Sequence, residues 1–223
     1  MDIRSIMKIL NLYAGIDGNR KLWSDEHEIT AVEIDLDIAS VYMDYFPKDK
    51  MCVGDAHEYL LRHYMDFDFI WSSPPCPSHS RLNTFAVPQF YKEGSGGREL
   101  EYPDMKLYEE ILLLKHWFKG KYCVENVIPY YTPLIPAVEL DRHLFWANFN
   151  IGSLNIINKK ISHKKADAKY LQEFFGYDLK GYNLKGKKRQ ILRNCVLPET
   201  GQYILDCAMD YIRKTDTTQT KLF

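Results

Sequence analysis

The sequence predicts a doubly wound, mostly parallel α/β sheet. Three observations carry this prediction. Short apolar runs of strand length alternate with segments of helical spacing. The first run empties into a glycine turn, Gly15-Ile16-Asp17-Gly18. A later run empties into Ser72-Ser73-Pro74-Pro75-Cys76-Pro77-Ser78, where prolines fix the backbone around one cysteine. In order, strands are expected at 9–13, 28–34, 51–53, 67–71, 122–124 and 143–149, and helices at 36–46, near 57–64 and at 104–118. The last helix carries Leu107, Ile111, Leu114 and Phe118 on one face, with Asp104 as its N-cap. In such a sheet, ligands bind at the carboxyl ends of the strands.

Composition narrows the possibilities. The chain has 223 residues, 46% of them hydrophobic, enough for one large domain with a small appendage. It has no run of eighteen apolar residues, so no membrane span is expected. The start, Met1 to Lys8, lacks the apolar region of a secretory signal. Five cysteines without a CxxC pair argue for reduced thiols in a cytosol, with no disulfide framework and no metal site. The net charge of −1 hides a division: residues 159–193 hold 11 Lys/Arg and 3 Asp/Glu, net +8, while the rest holds 18 basic and 27 acidic residues, net −9. A local basic segment can neutralise phosphates while the remainder stays acidic. The expected organisation is a cofactor-binding and catalytic domain over 1–150, a small basic insert over 151–190 with a short helix at 166–175, a return over 191–213 and a flexible tail over 214–223. Residues 81–103, with Gly94-Ser95-Gly96-Gly97, read as a mobile loop downstream of Cys76.

The first strand end has the character of a nucleotide site. Tyr13, Ala14, Gly15, Ile16 and Gly18 form a strand–turn–helix passage where glycine lets the backbone approach a ligand. Glu33, ending the second strand beside Ile34, can accept both hydroxyls of a ribose, and Asp55, followed by Ala56, can hold an adenine amino group. The spacing departs from Gly-x-Gly-x-x-Gly, which disfavours NAD.

Together these segments resemble the DNA (cytosine-5) methyltransferase family from about Ile9 to Tyr211. Leu12 to Gly18 is similar to its first motif, Pro75-Cys76 to its catalytic Pro-Cys, Glu125-Asn126-Val127 to its Glu-Asn-Val, and Arg142 to its arginine motif. Arg193-Asn194-Cys195-Val196 resembles the final Gly-Asn-x-Val, which returns to the cofactor. The resemblance implies a Rossmann-like fold and S-adenosylmethionine as cofactor, with S-adenosylhomocysteine as product. The cofactor would be held by the first-motif residues, Glu33, Ile34, Asp55, Ala56, Pro74, Asn194 and Val196. It implies Cys76 as nucleophile toward carbon 6 of a flipped cytosine in duplex DNA, with Glu125 neutralising charge near ring nitrogen 3 and Asn126 and Arg142 orienting the base or Glu125. The chain departs from the pattern at Asp17 in place of a glycine, Pro77 in place of glutamine and Arg193 in place of glycine. The span 152–190 is also short for a target-recognition region, so the target is expected to be short or relaxed.

The tail Gln219-Thr220-Lys221-Leu222-Phe223 is similar to the Gln-x-x-Leu-Phe peptide that docks on bacterial sliding clamps, which makes a clamp a candidate partner through Gln219, Leu222 and Phe223. A cytoplasmic place in a bacterial or phage-infected cell follows, with restriction-modification or phage self-marking as roles. Three readings compete: a tRNA cytosine-5 methyltransferase, an amino-group DNA methyltransferase suggested by Ser73-Pro74-Pro75, and a non-catalytic nucleic-acid-binding protein that has kept the fold.

Overall fold

The computed structural model describes residues 6–81, 102–152 and 167–209. Its frame is a seven-stranded sheet in the order β3-β2-β1-β4-β5-β7-β6. The parallel strands are β1 (Lys8–Leu12), β2 (Glu28–Glu33), β3 (Lys50–Val53), β4 (Phe69–Ser72) and β5 (Lys121–Val127). β7 (His143–Ala147) runs antiparallel to β5, and the edge strand β6 (Val138–Leu140) antiparallel to β7. The chain moves outward from β1 to β3 and then returns to β4 on the other side of β1. That reversal opens a crevice at the carboxyl ends of β1 and β4. This is the doubly wound, Rossmann-like sheet the sequence predicts.

Strand alternation sorts the core into layers. Leu10, Leu12, Ile70, Val124, Leu144 and Trp146 face one side, packed with Leu60 of α2 (Ala56–His63) and Leu107, Ile111 and Leu114 of α3 (Lys106–Trp117). Ile9, Phe69, Trp71, Cys123 and Phe145 face the other side, against Ile204, Leu205 and Ala208 of α6 (Pro198–Ala208). A third cluster joins Val41 of α1 (Leu36–Tyr45) and Ile16 to Leu171 and Phe175 of α4 (Ala168–Phe175) and Leu192 of α5 (Lys188–Asn194). The second half of the basic segment is thus fastened to α1. Tyr182 donates to Asp44 at 2.7 Å, the Asp178 N–H donates to the Tyr45 hydroxyl at 2.6 Å, and Lys185 pairs with Asp37 at 3.0 Å.

α6 seats directly on the 3₁₀ turn Asn19–Leu22. The contact is so close that a Cβ on Gly201 would stand 2.2 Å from the Asn19 carbonyl oxygen. Gly18 is needed for the same kind of reason. Its backbone is ordinary right-handed helix, but a Cβ there would lie 2.3 Å from the Val196 carbonyl oxygen.

Several boundaries differ from expectation. Asp104 is not the N-cap of α3; Met105 occupies that position, and Asp104 accepts from the Lys106 N–H at 3.1 Å in a turn one residue earlier. β5 reaches Val127, so Glu125 and Asn126 lie inside the strand and not after it. The antiparallel partner β7 supplies the extra pairing, Glu125 with Phe145 and Asn126 with Leu144, beyond the point where β4 ends. The strand expected sixth is the seventh, because the short β6 precedes it, and it stops at Ala147. α5 was not anticipated, and the helix expected at 166–175 begins at Ala168 behind an Asp167 cap. The loop expectation for 82–101, the first part of the basic insert (153–166) and the clamp-like tail lie outside the described residues.

Candidate active site

The crevice is bounded by three strand ends. At β1, Tyr13 and Gly15 take positive φ (56° and 59°), and the Gly15 N–H donates to Glu33 Oε2 at 2.9 Å. Glu33 also accepts from the Asp35 N–H through Oε1 at 2.9 Å, so a nearly buried carboxylate ties the end of β2 to the turn after β1. A Cβ on Gly15 would meet nothing within 4 Å, so the turn borders open space. Ile34, 69% exposed, follows Glu33, and Asp55 caps α2 by accepting from the Glu58 N–H at 3.0 Å. That bond, reinforced by Lys106, holds the Asp55 carboxyl below its ordinary range. Ala14, Ile16, Ala56 and Val196 spend their side chains on core packing, so only their backbones are available to a ligand. Asn194 is exposed at the end of α5.

Asp17 shows how the first turn tolerates the loss of a glycine. It keeps a left-handed backbone, φ 72°, which aspartate adopts more readily than most residues. Its side chain turns inward, where Oδ1 accepts from Asn11 at 2.7 Å and from the Arg20 N–H at 3.3 Å. Oδ2 is buried, and burial pushes the carboxyl up to about 7, opposed by the nearby Tyr42 hydroxyl and Arg20.

At β4, Cys76 opens a single helical turn. Its carbonyl accepts from the His79 N–H at 3.0 Å and the Ser80 N–H at 2.9 Å. Pro77 is the first residue of that turn, where a missing N–H costs nothing and a fixed φ helps. This accounts for proline at a position where glutamine was expected. Burial and the neighbouring Glu125 charge raise the Cys76 thiol above its ordinary value, opposed by Arg142.

At β5, Glu125 is nearly buried, and burial pushes it up to about 7, against the Ser73 hydroxyl and Arg142, which favour its charge. Asn126 donates from Nδ2 to the Pro74 carbonyl at 3.0 Å and accepts from the Val127 N–H at 2.9 Å. Its amide is committed to holding the Pro-Cys turn. Arg142, between β6 and β7, donates to the Arg193 carbonyl at 3.0 Å, at the carboxyl end of α5 where a cation is favoured. The structure thus brings Cys76, Glu125 and Arg142 within electrostatic reach of one another, one strand away from the Gly15 turn.

Sequence reasoning missed two groups. His143 Nε2 stands 3.6 Å from Glu125 Oε1. Glu110 of α3, 0% exposed, accepts from Tyr13 at 2.6 Å and Ser72 at 2.6 Å and lies 3.0 Å from His57 Nδ1. This carboxylate ties together the ends of β1 and β4 from beneath. Its signal was present: Glu110 falls three residues after Leu107 and four before Leu114, on the apolar stripe.

Residues 7–84 match the family described as C-5 cytosine-specific DNA methylase. The match runs from β1 through the Cys76 turn and ends before Glu125. No curated protein matches the chain. Solved structures with some likeness include a DNMT2 variant from Spodoptera frugiperda (27% identity, 55% of this chain and 36% of that one, TM-score 0.35). Others are a SAM-dependent methyltransferase from Agrobacterium tumefaciens (13%, 58% and 41%, 0.41) and NSun6 from Pyrococcus horikoshii with SFG (16%, 54% and 32%, 0.37). The fold assignment rests on the strand order, not on these likenesses. Strand order and family match together give the fold of S-adenosylmethionine-dependent methyltransferases, and S-adenosylmethionine is the cofactor such a fold takes.

The crevice residues fit that cofactor. Glu33 retains unused lone pairs that would suit ribose hydroxyls, Ile34 has an exposed apolar face that would suit an adenine, Asp55 would give its amino group an acceptor, and the open side of Gly15 would leave room for the chain between them.

Proposed function

We propose that the protein transfers a methyl group from S-adenosylmethionine to carbon 5 of cytosine in DNA, through a covalent adduct with Cys76 on a flipped base. The observation that carries this reading is the pairing of Cys76 with Glu125. They sit on adjacent strand ends, the Glu125 charge raises the Cys76 thiol, and burial pushes the Glu125 carboxyl up to about 7. Two such groups do not both ionise cheaply. The state in which Glu125 holds a proton is also the state that least opposes a Cys76 thiolate. That is the combination the reaction needs.

The roles follow. Cys76 Sγ adds to carbon 6 of the cytosine, and the proton on Glu125 passes to ring nitrogen 3 as charge builds there. Carbon 5 becomes the nucleophile, and the cofactor supplies the electrophilic methyl. Loss of the carbon 5 proton, departure of the thiolate and return of the nitrogen 3 proton to Glu125 then restore the ring. Asn126 positions Cys76 by holding Pro74, and Arg142 favours the charged forms of both Cys76 and Glu125. A stacked base cannot enter this crevice, so the target is flipped or single-stranded. Phosphate contacts are assigned to the lysines of the 151–190 segment, and clamp docking to Gln219, Leu222 and Phe223.

The test is methylation of unmethylated duplex DNA, with single-stranded DNA and tRNA as parallel substrates. The proposal expects 5-methylcytosine in DNA. Product in tRNA alone would transfer the same chemistry to RNA.

A further inference from the structure

We infer that His143 and Glu125 share one proton, and that His143 thereby sets the fraction of Glu125 ready to donate to the base. This inference rests on the proposed function and assigns a positioning residue within it. The arginine motif pointed to Arg142, but Arg142 gives its hydrogen bond to the carboxyl end of α5. The side chain next along β7 faces Glu125 instead. In the β5–β7 ladder Glu125 pairs with Phe145 and Val127 with His143, which puts Glu125 and His143 on one face as diagonal neighbours. Their charged atoms are 3.6 Å apart, with side chains 8% and 10% exposed respectively.

Other groups face this pair from every packed element. Ser73 and Cys76 come from the β4 end, Cys123 from β5, Arg142 from the β6–β7 turn, and Arg193 and Cys195 act on Arg142 from α5 and its cap. Among the described residues, His143 brings a titratable ring nitrogen within ion-pair distance of the Glu125 carboxyl. A Glu–His pair holding one proton exists as two forms, acid with neutral imidazole or carboxylate with imidazolium. Only the first can donate to ring nitrogen 3. When it does so, as the Sγ–C6 bond forms, the remaining carboxylate is held by the His143 ring. When that bond breaks, the proton returns from nitrogen 3 to Glu125.

The experiment has two arms on the full chain. In the first, histidine and carboxyl NMR titrations of the protein alone follow His143 and Glu125. Shared, biphasic curves are expected, and Glu125→Gln should lower the His143 midpoint by about one unit. Independent single-phase curves, or a His143 midpoint unmoved by Glu125→Gln, would overturn the inference. The unsubstituted protein's own curves decide the matter even if that variant does not fold. In the second arm, single-turnover methyl transfer is measured against pH for the protein and for His143→Gln. The expected result is a rate lower by about tenfold and a pH limb displaced by about one unit, with unchanged cofactor affinity. Superimposable profiles would overturn the catalytic part. A protein that methylates no cytosine substrate would defeat the proposed function, while the titration still decides whether the proton is shared.

Discussion

Asn126 holds Pro74. The 3.0 Å bond from Asn126 Nδ2 to the Pro74 carbonyl crosses from β5 to the turn that presents Cys76, and makes the cysteine's position a property of the neighbouring strand. Removing it with Asn126→Ala should leave the fold intact and cut single-turnover methyl transfer by about 10²-fold, since small displacements of a nucleophile are costly. Cofactor affinity, measured by calorimetry, should change little. Equal losses in both would place Asn126 in cofactor binding instead.

Glu110 predicts a different pattern. Glu110→Ala would leave Tyr13, Ser72 and His57 facing a buried void, with an expected cost of about 3 kcal/mol in denaturant unfolding. The hydrogen bond to Glu110 raises His57 above its ordinary value of 6.5. The stabilisation from that raised group is complete below the unfolded value and disappears as pH rises through the folded one. Glu110→Gln should flatten this part of the pH–stability curve.

Asp17 also acts through pH. A carboxyl raised from 3.8 to about 7 by burial is protonated more readily in the folded chain than in the unfolded one. Stability should therefore fall as pH rises from about 4 to 7, because the unfolded chain releases the proton first. Asp17→Asn keeps a residue tolerant of positive φ and should remove this slope. Thermal melts at pH 5 and pH 8 compare the two, and an unchanged difference between them would count against a buried, protonated Asp17.

Gly201 tests the seat of α6. Gly201→Ala would press a methyl group into the Asn19 backbone at 2.2 Å and should cost about 3 kcal/mol. Gly15→Ala, which meets no atom, should cost less through packing than through its positive φ. Chemical denaturation of the two variants side by side gives the comparison.

The parallel core was legible in the sequence because β1, β4 and β5 are largely buried on both faces and its helices carry regular apolar stripes. The Gly15 turn, Glu33, Asp55 and Cys76 were legible for a related reason: each sits at a strand end marked by glycine, proline or a lone carboxylate. What could not be read depended on pairing between distant segments. β5 outruns its expected end because β7 lies beside it, and this moves Glu125 and Asn126 into a strand. β6 has three residues and no periodicity to detect. The commitments of Asn126 to Pro74, Arg142 to Arg193 and Glu110 to three partners are side-chain choices set by packing, which spacing along the chain does not encode. His143 was hidden behind the arginine before it, since both lie where a base-facing residue is expected.

Every proposed role depends on Cys76 being the nucleophile of a cytosine carbon 5 methyl transfer. Incubation with labelled S-adenosylmethionine and unmethylated duplex DNA, followed by nucleoside mass spectrometry, tests it with Cys76→Ala alongside. 5-Methylcytosine is expected from the protein and none from the variant. Methylation that survives Cys76→Ala, or a label found on the cytosine amino group, would contradict it.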